Sequence, residues 1–158
     1  MSVAVQIREP VAPAPASKLL GWSSSAPLSA RQKRLIRESF AKIEPALGPV
    51  SALFYLRLFE LDPSLRALFD GPIEQNERKF TAAMRITVIT LDHLDRLSPA
   101  LKLLGARYRT YGARTAHYVT MARALVWTLE QSLNGKLRRE AKEAWATLLL
   151  QLTRYMTP

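Results

Sequence analysis

The 158-residue sequence contains no cysteine and only two histidines, His93 and His117. The absence of cysteine excludes disulfide bonds, thiolate metal sites and cysteine nucleophiles. His93 stands beside Asp92 and Asp95 and is expected to be solvated, no second histidine near it completes a metal-ligand spacing, and the Gly135-Lys136 pair lacks the other glycines of a phosphate-binding loop. The residues therefore indicate neither a familiar metal site nor a nucleotide site.

Long apolar runs are also absent. The best apolar stretch, near the C-terminus, is interrupted by Trp145, Gln151 and Arg154 at amphipathic spacing, so it does not predict a membrane span. Residues 1–10 contain a glutamate and lack the apolar run of a signal peptide. We expect a cytoplasmic location by default.

Basic residues outnumber acidic ones, 23 to 13, which gives a formal net charge of +10. The charge favours an anionic partner, namely an acidic protein, a larger assembly or an anionic membrane surface. Solubility is the simpler interpretation, because the basic residues are scattered through every predicted helix. No recognition motif indicates nucleic-acid binding. A homodimer is possible, because the sequence does not determine the oligomeric state.

Residues 1–28 differ in composition from the rest and form a separate N-terminal segment. Prolines among alanines at 10–15 predict an extended chain with little packing. One interpretation is a disordered tail. The other is a docking segment whose two apolar ends contact a partner. Those partner contacts would come from Val3, Val5, Ile7, Leu19, Leu20 and Trp22.

Residues 29–158 predict one all-α domain. Ser29 and Gln32 have the spacing of a capping box. Ser98-Pro99 indicates another helix start, with the serine as cap. Apolar residues from Tyr118 to Leu129 recur at helical spacing. About seven helices with short connections, the last two long and antiparallel, favour a layered stack over a four-helix bundle.

Several motifs in this domain, taken in order, resemble those of bacterial single-domain haemoglobins and the globin domains of flavohaemoglobins. The resemblance covers residues 29–156 and implies a globin-like stack of about seven helices, preceded by the extended Pro/Ala-rich segment. The motifs are Leu53 to Phe59, Asp62-Pro63, Leu68-Phe69, His117-Tyr118 and Glu143-Ala144-Trp145.

The resemblance also implies the residues of a haem pocket. Phe69 matches the phenylalanine that packs on the haem face, and Tyr55 matches a tyrosine that donates to bound oxygen. Asn76 stands where the family usually has glutamine, and Phe80 where it has leucine. Tyr118 matches a tyrosine on the proximal side of the haem.

The family's iron ligand is a histidine nine residues before the His-Tyr pair, and that position is Tyr108 here. A tyrosine binds iron only as a phenolate, which favours ferric haem. Alternatively, Tyr108 fills a vacated pocket. Phe80 favours this second interpretation, because it is larger than leucine and would crowd the distal space.

Two functions follow from these alternatives. The favoured one is a globin-fold sensor or accessory interaction protein with no cofactor and no catalytic activity, since no nucleophile-base-acid arrangement is present. The alternative is a haem-binding globin with Tyr108 as iron ligand, acting on oxygen, nitric oxide or peroxide. In both cases the pocket residues are Tyr55, Phe69, Asn76, Phe80, Tyr108 and Tyr118.

Overall fold

The computed structural model describes residues 26–158, and every regular element in that range is helical. The all-α prediction is confirmed. The N-terminal docking residues Val3, Val5, Ile7, Leu19, Leu20 and Trp22 lie outside the described residues. Six α-helices are present in this part of the chain: α1 (Ala30–Ile43), α2 (Leu47–Leu61), α3 (Ile73–Ile89), α4 (Ser98–Thr110), α5 (Thr115–Ser132) and α6 (Arg139–Met156).

Three short 3-10 segments join these helices: Glu44–Ala46, Pro63–Leu68 and Leu91–Leu97. The segment after Asp62 is one of these 3-10 segments and not an α-helix. Its start is fixed by Pro63 and by Asp62, whose carboxylate accepts the Ser64 backbone N–H at 3.0 Å. The corner at Gly71, where φ is +90°, follows soon after, so the segment is too short to become an α-helix.

The capping box at the start of α1 is confirmed. The Ser29 hydroxyl accepts the Gln32 backbone N–H at 3.1 Å, and the Gln32 side-chain oxygen accepts the Ser29 backbone N–H at 2.9 Å. Each side chain thus satisfies an amide that has no partner inside the helix. Leu28, just before the cap, is buried in the core.

Ser98 does not cap α4. It is the first residue of the helix, with φ −52° and ψ −49°, and the cap position belongs to Leu97. The reason is that the preceding 3-10 segment runs directly into α4, so the backbone is already helical before Ser98. The break in the backbone lies earlier, at His93, with φ −145° and ψ 50°.

The core forms where α2 packs on α5 and where α6 packs on both α1 and α4. Trp145 of α6 is 1 % exposed, and its indole N–H donates to the Ser39 hydroxyl of α1 at 2.9 Å. None of the helices between residues 26 and 158 has the length and apolar composition needed to cross a membrane.

Helix α4 lies unusually close to the C-terminal end of α6. A Cβ atom on Gly105 would overlap the backbone carbonyl of Met156. The Arg109 guanidinium donates to the same carbonyl oxygen at 2.7 Å. Glycine at this position therefore lets α4 approach α6, and this contact fixes the helix that carries Tyr108.

Candidate functional site

A cavity of about 340 Å³ opens within the domain, lined by residues from α2 to α6 and from the loop after the second 3-10 segment. Its wall is mostly apolar and rich in aromatic side chains. The six residues predicted for the pocket all line it: Tyr55, Phe69, Asn76, Phe80, Tyr108 and Tyr118. The fold thus brings together side chains from distant parts of the sequence, while their part in ligand binding stays a prediction.

Aromatic contacts hold one wall of the cavity in place. Phe80 stacks on Phe54, with ring centroids 4.6 Å apart and planes inclined by 21°. Tyr55 meets Phe69 edge to face at 5.3 Å. Such contacts add to the free energy of burying the rings. Phe80 therefore serves as a packed wall residue.

The two residues predicted as hydrogen-bond donors on the distal side are engaged with the protein. The Tyr55 hydroxyl donates to the backbone carbonyl of Asn76 at 3.2 Å. The Asn76 side-chain amide donates to the carbonyl of Phe69 at 3.3 Å. Burial raises the pKa of Tyr55, and the neighbouring Tyr108 raises it further. A ligand would have to compete for the single phenol hydrogen of Tyr55.

Tyr108 projects from α4 against the opposite wall. Its ring meets Phe69 edge to face, with centroids 5.9 Å apart. Burial raises the pKa of Tyr108 to about 12, and the nearby Tyr118 adds to the rise, while Arg107 lowers it. The phenol is therefore protonated at neutral pH, and the phenolate that a metal would need is disfavoured.

Tyr118, at the start of α5, is buried and lines the cavity. Its hydroxyl has no hydrogen-bond partner within residues 26–158. A buried hydroxyl without a partner costs about 1–3 kcal/mol. The free donor lies near Tyr108, whose pKa it influences.

Two cationic residues of the cavity were missed by the sequence analysis. Lys79 follows Asn76 by three residues, and this helical spacing could have placed it on the cavity side of α3. Adjacent residues on a helix point in different directions, so the position of Arg107 next to Tyr108 did not predict a place in the cavity. Arg107 nonetheless lines the cavity, since its long side chain reaches the rim.

Neither histidine of the chain lines the cavity. His117 accepts the Arg114 backbone N–H at Nδ1, 2.9 Å away, and its Nε2 lies 3.7 Å from an Asp62 carboxylate oxygen. Its imidazole thus caps the start of α5. His93 is exposed at the break before α4. Between residues 26 and 158 no group of three histidine, aspartate or glutamate side chains could hold a metal ion.

Comparison with known proteins identifies relatives over most of the chain. The Globin family profile matches residues 52–156. Neuroglobin from Danio rerio is 28 % identical over 144 residues, covering 82 % of this chain and 91 % of that protein. Anaerobic nitrite reductase HBII from Casuarina glauca is 27 % identical over 129 residues, covering 72 % of this chain and 81 % of that protein. The finer resemblance to bacterial and flavohaemoglobin globins stays a prediction.

Proposed function

Since the chain belongs to the globin family, we propose that it is a sensor or accessory interaction protein whose cavity takes a ligand other than histidine-ligated haem. The observation that carries the proposal is the position of Tyr108. This residue stands where the family resemblance places the iron ligand, and its ring already contacts Phe69 across the cavity.

The donor set of the cavity does not fit haem of the usual kind. Haem iron in globins is bound by a proximal histidine, and other proteins use cysteine, methionine or tyrosine. The cavity wall in residues 26–158 contains no histidine, and the chain contains no cysteine. Met84, Met121 and Met156 line the cavity, but methionine binds haem iron as the partner of a histidine, which this wall lacks. Tyr108, in the ligand position, is held in its neutral form by burial.

The space between the walls does not fit a porphyrin either. A flat ring between two side chains needs a layer of contact on each side, about 7 Å in all. The Phe69 and Tyr108 ring centroids are only 5.9 Å apart. The cavity volume of about 340 Å³ is about twice that of an apolar cavity that accepts one benzene. These dimensions support a smaller ligand.

A second candidate is haem bound through the Tyr108 phenolate. Membership in the family supports it, and so does Arg107, which lowers the pKa of Tyr108 against the effect of burial. This candidate requires Tyr108 and Phe69 to move apart. It ranks second because burial, which raises the pKa of the Tyr108 phenol, has a larger effect than Arg107, which lowers it.

Some relatives are named nitrite reductases, but for this chain we propose binding without catalysis. The polar side chains that line the cavity include phenols, one amide and the hydroxyls of Thr87 and Thr153, and Lys79, Arg107 and Asp70 stand around them. Acid-base catalysis at neutral pH needs a group that titrates near that pH. Two of the phenols, Tyr55 and Tyr108, have their pKa values raised far above it.

Titration of the purified chain with haemin, followed by visible absorption, tests the proposal. We expect no stoichiometric Soret band, and we expect Tyr108→Phe to behave like the original chain. A Soret band at one haem per chain that disappears in Tyr108→Phe and survives in Tyr111→Phe would establish the second candidate. Tyr111 is the matched control, because it also lines the cavity and lies one helical turn away.

The partner is a separate part of the proposal. The net charge of +10 supports an acidic protein or larger assembly as partner, with the apolar ends of residues 1–28 as contacts. Deletion of residues 1–27 should leave the helical circular-dichroism spectrum unchanged and abolish partner capture in a pull-down. Capture that survives the deletion would refute the docking segment.

A further inference from the structure

Two cations stand at the rim of the cavity. Lys79 of α3 and Arg107 of α4 line it while remaining exposed to solvent. Most salt bridges in the described part of the chain involve a lysine or an arginine. Neither Lys79 nor Arg107 takes part in one within that part of the chain. Asp70 also lines the cavity, and its carboxylate accepts the Gly71 backbone N–H at 2.8 Å. The three side chains leave a net positive rim.

A second, independent feature lies just inside. The Tyr118 hydroxyl is buried without a partner in the described residues, in a side chain that is only 7 % exposed. The Tyr108 phenol is its neighbour, and Arg107 is close enough to affect the pKa of that phenol. Arg107 and Tyr108 of α4 and Tyr118 of α5 are therefore neighbours, and an anionic acceptor beside them would satisfy the free hydroxyl.

The rest of the cavity wall is mostly apolar and favours a ligand with an apolar body. Phe54, Met121, Leu148 and Leu152 are among the side chains that face the cavity. The cavity volume of about 340 Å³ admits a body of about two rings, or an alkyl chain of similar bulk. Edge and face contacts with the aromatic wall suit such a body.

We propose that the cavity binds a small amphipathic monocarboxylate. Its apolar body lies against the aromatic wall, and its carboxylate faces Arg107 and Lys79 and accepts a hydrogen bond from Tyr118. This inference rests on the proposed function in one respect: it needs a cavity that haem does not occupy.

Isothermal titration calorimetry on the full chain tests the ligand class. The probes are 2-naphthoate and decanoate, each compared with its neutral alcohol, 2-naphthalenemethanol and decan-1-ol. We expect at least one carboxylate to bind at one site per chain, more tightly than its alcohol. The two carboxylates distinguish a ring body from a chain body, and tight binding of either supports the proposal.

Substitutions at the rim test the carboxylate contact. Lys79→Met and Arg107→Met should each weaken carboxylate binding about two- to fivefold, as for partly exposed ion pairs. Neither should change the binding of the alcohols. Lys102→Met is the matched control, because Lys102 is exposed on α4 and does not line the cavity, and it should leave every affinity unchanged.

Tyr118→Phe gives a readout that is independent of the rim. It removes a hydroxyl without a partner, so the melting temperature of the free protein should rise by about 2–12 °C. The same change should weaken carboxylate binding about three- to tenfold, because the donor is lost. If Tyr118→Phe raises the melting temperature and weakens carboxylate binding, the Tyr118 hydroxyl serves ligand binding rather than folding.

Failure of this inference and of the proposed function are distinguishable. No carboxylate binding, equal binding of acids and alcohols, or unchanged affinity in both rim variants overturns the monocarboxylate. A Soret band at one haem per chain overturns the haem-free function, whatever the calorimetry shows. If calorimetry detects no carboxylate binding and haemin gives no Soret band, only the monocarboxylate proposal is overturned.

Discussion

The Tyr108 phenol lies in the wall of a cavity formed by helices that are distant in the sequence. The contact with Phe69 and the burial that raises the pKa of its phenol to about 12 arise from packing between distant elements.

The raised pKa of Tyr108 predicts a loss of stability at alkaline pH. The neutral phenol is favoured in the folded state, so its contribution is present below the ordinary pKa of 10.0 and is lost as pH rises through about 12. Urea unfolding at pH 8, 10 and 11.5 should show a falling free energy of unfolding. The fall should be shallower in Tyr108→Phe, and identical slopes would contradict the assignment.

Ser39 and Trp145 give a second prediction about single residues. Ser39→Ala leaves the buried indole N–H of Trp145 without its acceptor at 2.9 Å. The free energy of unfolding should fall by about 1–3 kcal/mol in urea denaturation.

Ser51→Ala serves as the control for Ser39→Ala. Ser51 is also buried, but its hydroxyl donates only to the Gly48 carbonyl of its own helix, at 2.7 Å. Its loss leaves no other side-chain donor without an acceptor, so we expect a smaller fall in the free energy of unfolding. Equal losses in the two variants would show that the link to Trp145 adds nothing.

The six residues named from the family resemblance all line the cavity, while their part in ligand binding stays a prediction. The Tyr55 hydroxyl bonds to the Asn76 carbonyl. That acceptor belongs to the backbone of another helix, and residue identities alone do not give its position. Lys79 was not predicted, because an exposed lysine on a helix is normally a solvated surface residue.

At the scale of helices, the local signals decided which boundaries could be predicted. The capping box at Ser29 needs only side chains three residues apart, so the sequence contains all of it. Ser98 has the same residue type but follows a segment that is already helical. Whether Ser98 caps the helix depends on the conformation of the preceding backbone, and no sequence motif near Ser98 indicates that conformation.

The packing of α4 on α6 predicts opposite effects for two helical glycines. Gly105→Ala places a Cβ against the Met156 carbonyl, so the helices must separate, and we expect a loss of about 1–3 kcal/mol in the free energy of unfolding. Gly48→Ala meets nothing within 4 Å. It should raise the free energy of unfolding by about 0.5–1 kcal/mol.

Thermal and urea unfolding of the two glycine variants provide the measurement. Helix α4 carries Tyr108 and Arg107, so Gly105→Ala should also shift the alkaline titration of the phenol. A Gly105→Ala protein as stable as Gly48→Ala would mean that the close approach of α4 to α6 is not needed for stability.

At the scale of the whole molecule, the all-helical fold followed from apolar periodicity, and the family from the order of several weak motifs. The family profile covers residues 52–156. What the sequence could not give is the space inside the fold. The distance between Phe69 and Tyr108 depends on how α4 is held against α6, through Gly105 and Arg109.

Haem content per chain tests the central claim most directly. The protein would be produced in cells supplied with a haem precursor, purified, and assayed for haem and iron beside Tyr108→Phe and Tyr108→His. We expect the original chain to carry far less than one haem per molecule, and only the histidine variant to gain any. Close to one haem per chain in the original protein, lost in Tyr108→Phe, would contradict the account.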